Sequence, residues 1–513
     1  MRRSFVSLLS VLFLFLNQAF CQTNDAEKYI EFESLKQLDD FKIFTLGDEK
    51  LISSYLEKGE KNSFKIHVQL RNKDLEIIQK QTLSVSESFK YRKTNFYYNY
   101  SRDKQEAIIL LYTQKKKGLY EFIHFNCNNG LKITRKQGAI GSNILISDVK
   151  SLGKNLYVKT YQDLYVLDME TNNVSLHQVK SFKKTHYIED IQLVGSHEEK
   201  ELWVEYYYLS GSYRVMQINR FDSNGKELSS FDIVDNERGK KLNITHSKTK
   251  TGKYFSTGTY TQGSRSKRRS IGVFVINYKT NGEIEFQDYI NFLDLENYTD
   301  FMSVKKEEKL DRKHAKKKSK GKEVNLKELF TVHEMLEKDG EYILLAEAYE
   351  PTYRTESYQA AVTDANGNTT WTTKYRQVFD GYLYSHGLVI SFDEEGNRVW
   401  DKAFALSVYP KPFRVKHNLR PSFEGKQLKL IYLTSGQLAS ISFYKGEVVS
   451  ENMQEADKVT YQKYDKVKYA IADVIYWYGK SFISYGEMRL KNKKDKTVAK
   501  NRYVYYINKI TFL

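Results

Sequence analysis

The sequence predicts an all-β chain assembled from repeated units, on three observations: a strand-forming composition, short alternating segments, and a tight turn that recurs along the chain. Tyr (40) and Phe (29) are abundant while Pro is scarce (4), a balance that favours strands. Segments such as 107–112, 155–161 and 341–347 are short, rich in aromatic and branched residues, and end in polar or glycine-containing stretches. Amphipathic helical periodicity is nearly absent.

The first element is an export signal. Met1-Arg2-Arg3 is a short positive region, and an apolar run of about twelve residues from Phe5 to Leu16 follows. That run falls short of the roughly twenty residues a membrane span needs. Ala19 and Cys21 stand at small-residue positions before a cut, so 1–21 reads as a cleavable signal peptide and 22–513 as one domain. Lipidation of Cys21 is disfavoured by the bulky Phe20 before it, and Arg2-Arg3 resembles a twin-arginine signal only superficially. The expected location is the periplasm, the outer surface or the outside of the cell. Cys127 is then the only cysteine, so no internal disulfide is expected, and a core of this size needs none.

The repeats begin with the turns. Asp222-Ser223-Asn224-Gly225, Lys279-Thr280-Asn281-Gly282, Asp364-Ala365-Asn366-Gly367 and Asp393-Glu394-Glu395-Gly396 share one pattern, and four residues after each glycine stand Ser229, Phe286, Trp371 and Trp400. Asp at the first position bonds the backbone ahead, and Gly supplies the positive φ that closes a hairpin. The aromatic residue is expected to pack the outermost strand onto its neighbour. Looser copies lie near Asn72, Asn128, Thr171 and Lys445. Units of four strands and about 40–50 residues describe propeller blades. The fold class predicted is therefore a single β-propeller of about eight blades, with seven the alternative. The last strands lack a fourth partner, which the segment 28–32 can supply to close the ring.

The chain resembles bacterial exported β-propeller proteins with Asp-turn-Gly-x-x-x-Trp blades, the quinoprotein-like repeats. The resemblance rests on the copies ending in Trp371 and Trp400; the turn is one residue shorter, and most copies lack the Trp. It implies the fold and transfers no quinone site. The overall look is also similar to uncharacterised exported propeller-like proteins.

Two insertions interrupt the repeat, at 303–327 and 349–386. In the first, ten Lys or Arg stand against Glu307, Glu308 and Asp311 between Lys305 and Lys322, a net of +7 out of +17 for the whole chain. Charged residues three and four apart favour a solvated helix, and the run suits contact with an anionic envelope surface. No nucleic-acid partner is expected, because the remaining surface is only mildly basic and no recognition fold is evident. In the second insertion Tyr353, Arg354, Glu356, Asp380, Tyr382, Tyr384 and His386 form the candidate ligand set. Tyr offers an apolar face with a hydroxyl and Arg a rigid donor fork, chemistry that fits a glycan or a peptide.

Familiar catalytic signatures are missing: there is no G-x-S-x-G, no G-x-x-x-x-G-K and no G-x-G-x-x-G after a strand. His333-Glu334 opens like a zinc-protease motif, yet Glu337 occupies the second ligand position. No cofactor and no metal are expected. His246, His333 and His417 each follow a short alternating segment at similar places in successive units, so they are candidates to line a central channel. The reading that follows is a non-enzymatic binding protein. A polysaccharide hydrolase or lyase, and a protein held to the envelope by its basic arm, are the alternatives.

Overall fold

The computed structural model describes residues 26–511 except 35–37, 48, 115–117, 142–143, 178–185, 196–198, 211–212, 235–238, 263–268, 321–325, 364–366, 368, 456–458 and 460. The signal peptide, and Lys322 at the end of the basic run, lie outside the described residues. Eight antiparallel sheets follow one another along the chain, at 39–84, 95–139, 148–177, 186–234, 240–291, 329–405, 420–455 and 466–511. Seven are four-stranded, and the sixth has a fifth short strand, Leu336–Lys338. The all-β prediction and its count of about eight units hold, and we number these sheets as blades 1 to 8.

Blade 8 is completed from the other end of the chain. Its three C-terminal strands, Lys466–Tyr478, Ser481–Lys491 and Asn501–Thr511, take Ala26–Ser34 as their outermost partner, with Ser34 opposite Tyr503 and Ile30 opposite Ile507. Phe32 stacks on Tyr505 at 5.2 Å across that seam. Joining the ends within one sheet removes the free edge a linear array would leave.

Packing closes the ring. Between each pair of neighbouring blades lies a separate apolar cluster: Ile109 with Ile52, Leu156 with Leu110, Leu202 with Tyr157, Phe274 with Trp203, Leu344 with Phe255, Leu430 with Leu345, and Phe482 with Ile431. The eighth, Ile43 with Trp477 and Ile507, joins blade 1 to blade 8. Each blade thus buries both of its faces, which is why its second and third strands are buried at nearly every position (Gly272–Tyr278 throughout) instead of alternating.

The recurrent turns join the third and fourth strands of their blades. Gly225, Gly282 and Gly396 have φ of 82°, 87° and 90°, and each donates its N–H to the carbonyl of the first turn residue. Each hairpin reaches back onto the preceding blade: a Cβ on Gly282 would lie 2.3 Å from Phe231, and one on Gly396 2.9 Å from Phe286. The aromatic residues after the turns therefore receive the next blade's hairpin, where the sequence suggested packing within their own sheet. Trp400 does so against Gly446 while its indole N–H donates to Glu341 at 3.1 Å. The Gly367 turn is an exception. It joins the second and third strands of blade 6, and its Trp371 is 70% exposed.

The basic insertion carries the helix α1, Val304–Lys318. Among its described side chains only Glu307, Leu310 and His314 are half-buried, a stripe at helical spacing toward the body.

Candidate functional site

Within each blade the strands alternate in direction, so the connections between strands 2 and 3, and those from one blade to the next, share one face of the ring. Inner strands line the axis, and bulges aim their polar residues at it. A register shift at Ile188/Asp190 places Asp190 on the channel wall, and one at Leu242/Ile244 leaves Asn243, at φ 44°, to donate its amide to the Phe330 carbonyl of the next blade at 3.0 Å. Asp148, Asp190 and Asp473 each accept a hydrogen bond from the next backbone N–H.

Polar side chains latch neighbouring blades together at several junctions here. The amides of Asn99 and Gln192 donate to the Val149 and Ile244 carbonyls at 3.1 and 2.7 Å, and the Arg420 guanidinium donates to that of Val474 at 2.6 Å. Lys150 of blade 3 reaches across the channel to Glu334 of blade 6 at 2.8 Å. Glu334 stands there because blade 6's inner strand breaks between Leu329–Val332 and Leu336–Lys338. The ring encloses this pair on all sides, yet the Lys150 and Glu334 side chains remain 22% and 61% exposed to the channel. Burial alone would raise Glu334, but Lys150 brings it below the ordinary carboxylate range, and Lys150 is itself raised by Glu334 against its own burial. On one side of the pair a cavity of about 570 Å³ opens past Tyr98, Arg102, Ser247 and Glu337; on the other a chamber of about 180 Å³ holds Asp190, Thr245, His333 and His417.

The three candidate histidines do not converge. His333 and His417 stack at 4.1 Å, and His333 bonds Glu347 at 2.7 Å. His246 is instead enclosed between blades 4 and 5, bonded to Ser256 at 2.6 Å and Glu205 at 3.1 Å, so both its nitrogens are occupied. Burial pushes His246 and His417 down to about 3. Burial pushes Glu205 up to about 8, with Glu189 adding to it, and Asp190 up to about 7, with Glu205 adding to it; the Gln192 amide lies between the two carboxyls at 3.0 and 3.1 Å. Glu347, by contrast, accepts from His333, the Asn418 amide and the backbone of Asn418 and Leu419; those bonds outweigh its burial and hold it low. No group of three or more potential ligands able to hold a metal occurs among the described residues.

The sequence reading passed over Asp148, Lys150, Asp190, Gln192, Glu205 and Glu347. One signal could have found Asp148 and Asp190: Asp148-Val149, Asp190-Ile191, Asn243-Ile244 and Asp473-Val474 place an Asp or Asn before a branched residue on the inner strand of four blades. Glu205 and Glu347 lie on second strands and carry no such mark.

The flap insertion is a β-hairpin that continues the second and third strands of blade 6, Glu341–Thr363 and Thr369–Phe392, far beyond the blade. From Tyr353 to Thr363, paired with Thr369 to Phe379, it stands as two strands alone. Pairing divides it into two unlike faces. One carries Arg354, Glu356, Lys374 and Arg376, with Glu356 held low by the two arginines at 2.7 and 3.1 Å. The other has no charge: Tyr353, Phe379, Tyr375 and Trp371 are separated only by Thr, Ser, Gln and Ala. Tyr353, Tyr375 and Trp371 are 60%, 72% and 70% exposed, and Phe413 extends the stripe at its foot, 6.0 Å from Phe379.

Of the candidate ligand set, Tyr353, Arg354 and Glu356 stand on this hairpin, on opposite faces. Asp380 pairs with Lys411 at 3.0 Å and Tyr382 packs on Phe379, both at its foot. Tyr384 and His386 are corrections to the sequence reading. Both are about 1% exposed. The Tyr384 hydroxyl bonds the Lys416 carbonyl, and His386 stacks on Phe301 at 3.8 Å, so neither reaches a surface ligand. Strand alternation within a blade buries them, and the insertion's apparent boundary at 386 includes blade core.

The fold and channel define an eight-bladed β-propeller. No protein-family model matches the chain, and no curated protein matches it. Solved structures resembling it include the propeller of Dos1 (10% identity, 92% of this chain and 95% of that one, TM-score 0.35) and the β-propeller domain of the trilobed protease from Pyrococcus furiosus (9%, 82% and 97%, 0.34). The acylaminoacyl peptidase of Pyrococcus horikoshii is similar over 91% of this chain and 58% of that one (8%, 0.33). These likenesses are distant, and the architecture stands on the chain's own strand pairing.

Proposed function

We propose that this protein is an exported, non-enzymatic propeller that binds a glycan chain along the uncharged face of its flap hairpin. The observation that carries the reading is that face itself. In a chain with 28% charged residues, an uninterrupted uncharged stripe of rings, hydroxyls and amides is selected for contact with a neutral surface. Rings supply flat apolar area against sugar rings, while Thr, Ser and Gln exchange hydrogen bonds with their hydroxyls. Two lone strands are marginal by themselves, so the hairpin's length serves a partner better than it serves stability. Affinity electrophoresis in gels containing soluble polysaccharides tests this. The native protein is expected to be retarded and Trp371→Ala/Tyr375→Ala to run free; equal migration of the two in every gel rejects the reading.

A second reading has one specific observation in its favour. In the channel Asp190 is pushed up to about 7 while Glu334 is held low, and carboxyls driven apart in this way suit acid and base roles in a hydrolase or lyase. It requires polysaccharide turnover that Asp190→Asn abolishes.

A further inference from the structure

We infer that the flap and α1 form one composite surface, and that its partner is an acidic polysaccharide whose rings lie on the flap and whose carboxylates lie on the helix. This rests on the glycan reading of the flap and adds the charge of the partner. Both ends of the insertion bearing α1 are anchored at the foot of the flap. Before the helix, Phe301 stacks on His386, where the hairpin enters the blade. After it, Arg269 holds the Lys327 carbonyl at 2.9 Å and Glu350 of the flap at 3.1 Å. The insertion joins blade 5 to blade 6 and the flap joins two strands of blade 6, so both rise from the same face of the ring.

The helix is built against its own stability. Lys305, Lys309, Lys313 and Lys317 repeat every four residues and form a column about 6 Å per step. Each such pair of like charges disfavours the helix by about 0.2–0.5 kcal/mol. All four lysines are exposed, and none has an ion-pair partner among the described residues. No apolar side compensates, since only Leu310 of the half-buried stripe is hydrophobic. A polyanion along the column removes the repulsion, whereas a cationic or neutral partner gains nothing there. On the flap, Trp371, Tyr375 and Phe379 stand four residues apart on one strand, about 13 Å per step along the backbone. That spacing supports a stiff chain lying along the hairpin, and the hydroxyl and amide groups between the rings favour a sugar polymer over stacked bases.

The test compares polygalacturonate with the same polymer methyl-esterified, titrated into the full chain at 50 and 500 mM NaCl. The native protein is expected to bind polygalacturonate at least tenfold more tightly than the ester at low salt, and to lose that margin at high salt as the charges are screened. Replacing the column by Lys305→Gln, Lys309→Gln, Lys313→Gln and Lys317→Gln should remove the margin and leave binding of the ester unaffected, without lowering the melting temperature, since the repulsion along the helix is relieved. Trp371→Ala should weaken both polymers. Equal binding of the two polymers by the native protein, or an unchanged margin in the quadruple variant, overturns the charged partner and spares the flap reading. Binding of neither polymer, or preference for single-stranded DNA over both, overturns the two together.

Discussion

Glu205 shows how a buried residue ties this propeller to pH. Enclosed beside Asp190 and Glu189, its carboxyl titrates near 8 in the folded chain against about 4.5 unfolded. A carboxyl raised by folding contributes stability that is complete below the unfolded value and is lost as pH rises through the folded one. Stability should therefore fall between about pH 4.5 and 8 on this account. Glu205→Gln keeps an acceptor for Gln192 and carries no charge. Its melting temperature is expected to exceed that of the native protein by a margin that widens from pH 6.5 to 8.5; parallel profiles would contradict the assignment. The comparison is confined to that range because His246, neutral in the fold, adds a loss of opposite sign as pH falls below about 6.5. The same neighbourhood explains why the histidine set was only partly legible. His246, His333 and His417 occupy similar places in sequence, but their environments are made by Glu205 and Glu347 from second strands, a non-local fact.

At the scale of elements, one motif has two outcomes. Asp393 to Trp400 and Asp364 to Trp371 share a sequence pattern and the spacing of the Trp, yet Trp400 packs beneath the Gly446 hairpin and Trp371 stands in solvent. Trp400→Ala is expected to cost about 2–3 kcal/mol, since it empties a blade junction and strips Glu341 of a donor. Trp371→Ala should change stability by no more than about 0.5 kcal/mol. Urea unfolding of both variants checks this, and similar losses would mean that the flap packs in solution. Turn positions were readable because a positive φ at glycine is a local demand. The fate of the following aromatic was not, because it depends on whether another blade's hairpin arrives above it. α1 was legible as a charged run without strand alternation, but its spacing gave weak support: Glu308, with Lys305 and Arg312, is the one acidic residue that stands three or four residues from a Lys or Arg.

Over the whole molecule, composition and the turn repeat were enough to reach an eight-unit ring closed by its N-terminal strand. The channel's polar wall and the flap's two-faced character emerged only with register. A one-residue shift of the Tyr353–Phe379 pairing would set the charged residues of one strand beside the rings of the other and abolish both faces, and no single stretch of sequence decides it. The ring is complete without the flap beyond Thr352 and Asp380, so the flap's place in the account is to bind. Calorimetric titration of a glycan retarding the native protein, repeated on a chain in which 353–379 is replaced by a short turn, tests this most directly. The account predicts an unchanged melting temperature and complete loss of binding heat. Undiminished binding by the shortened chain would contradict it and move the site to the channel.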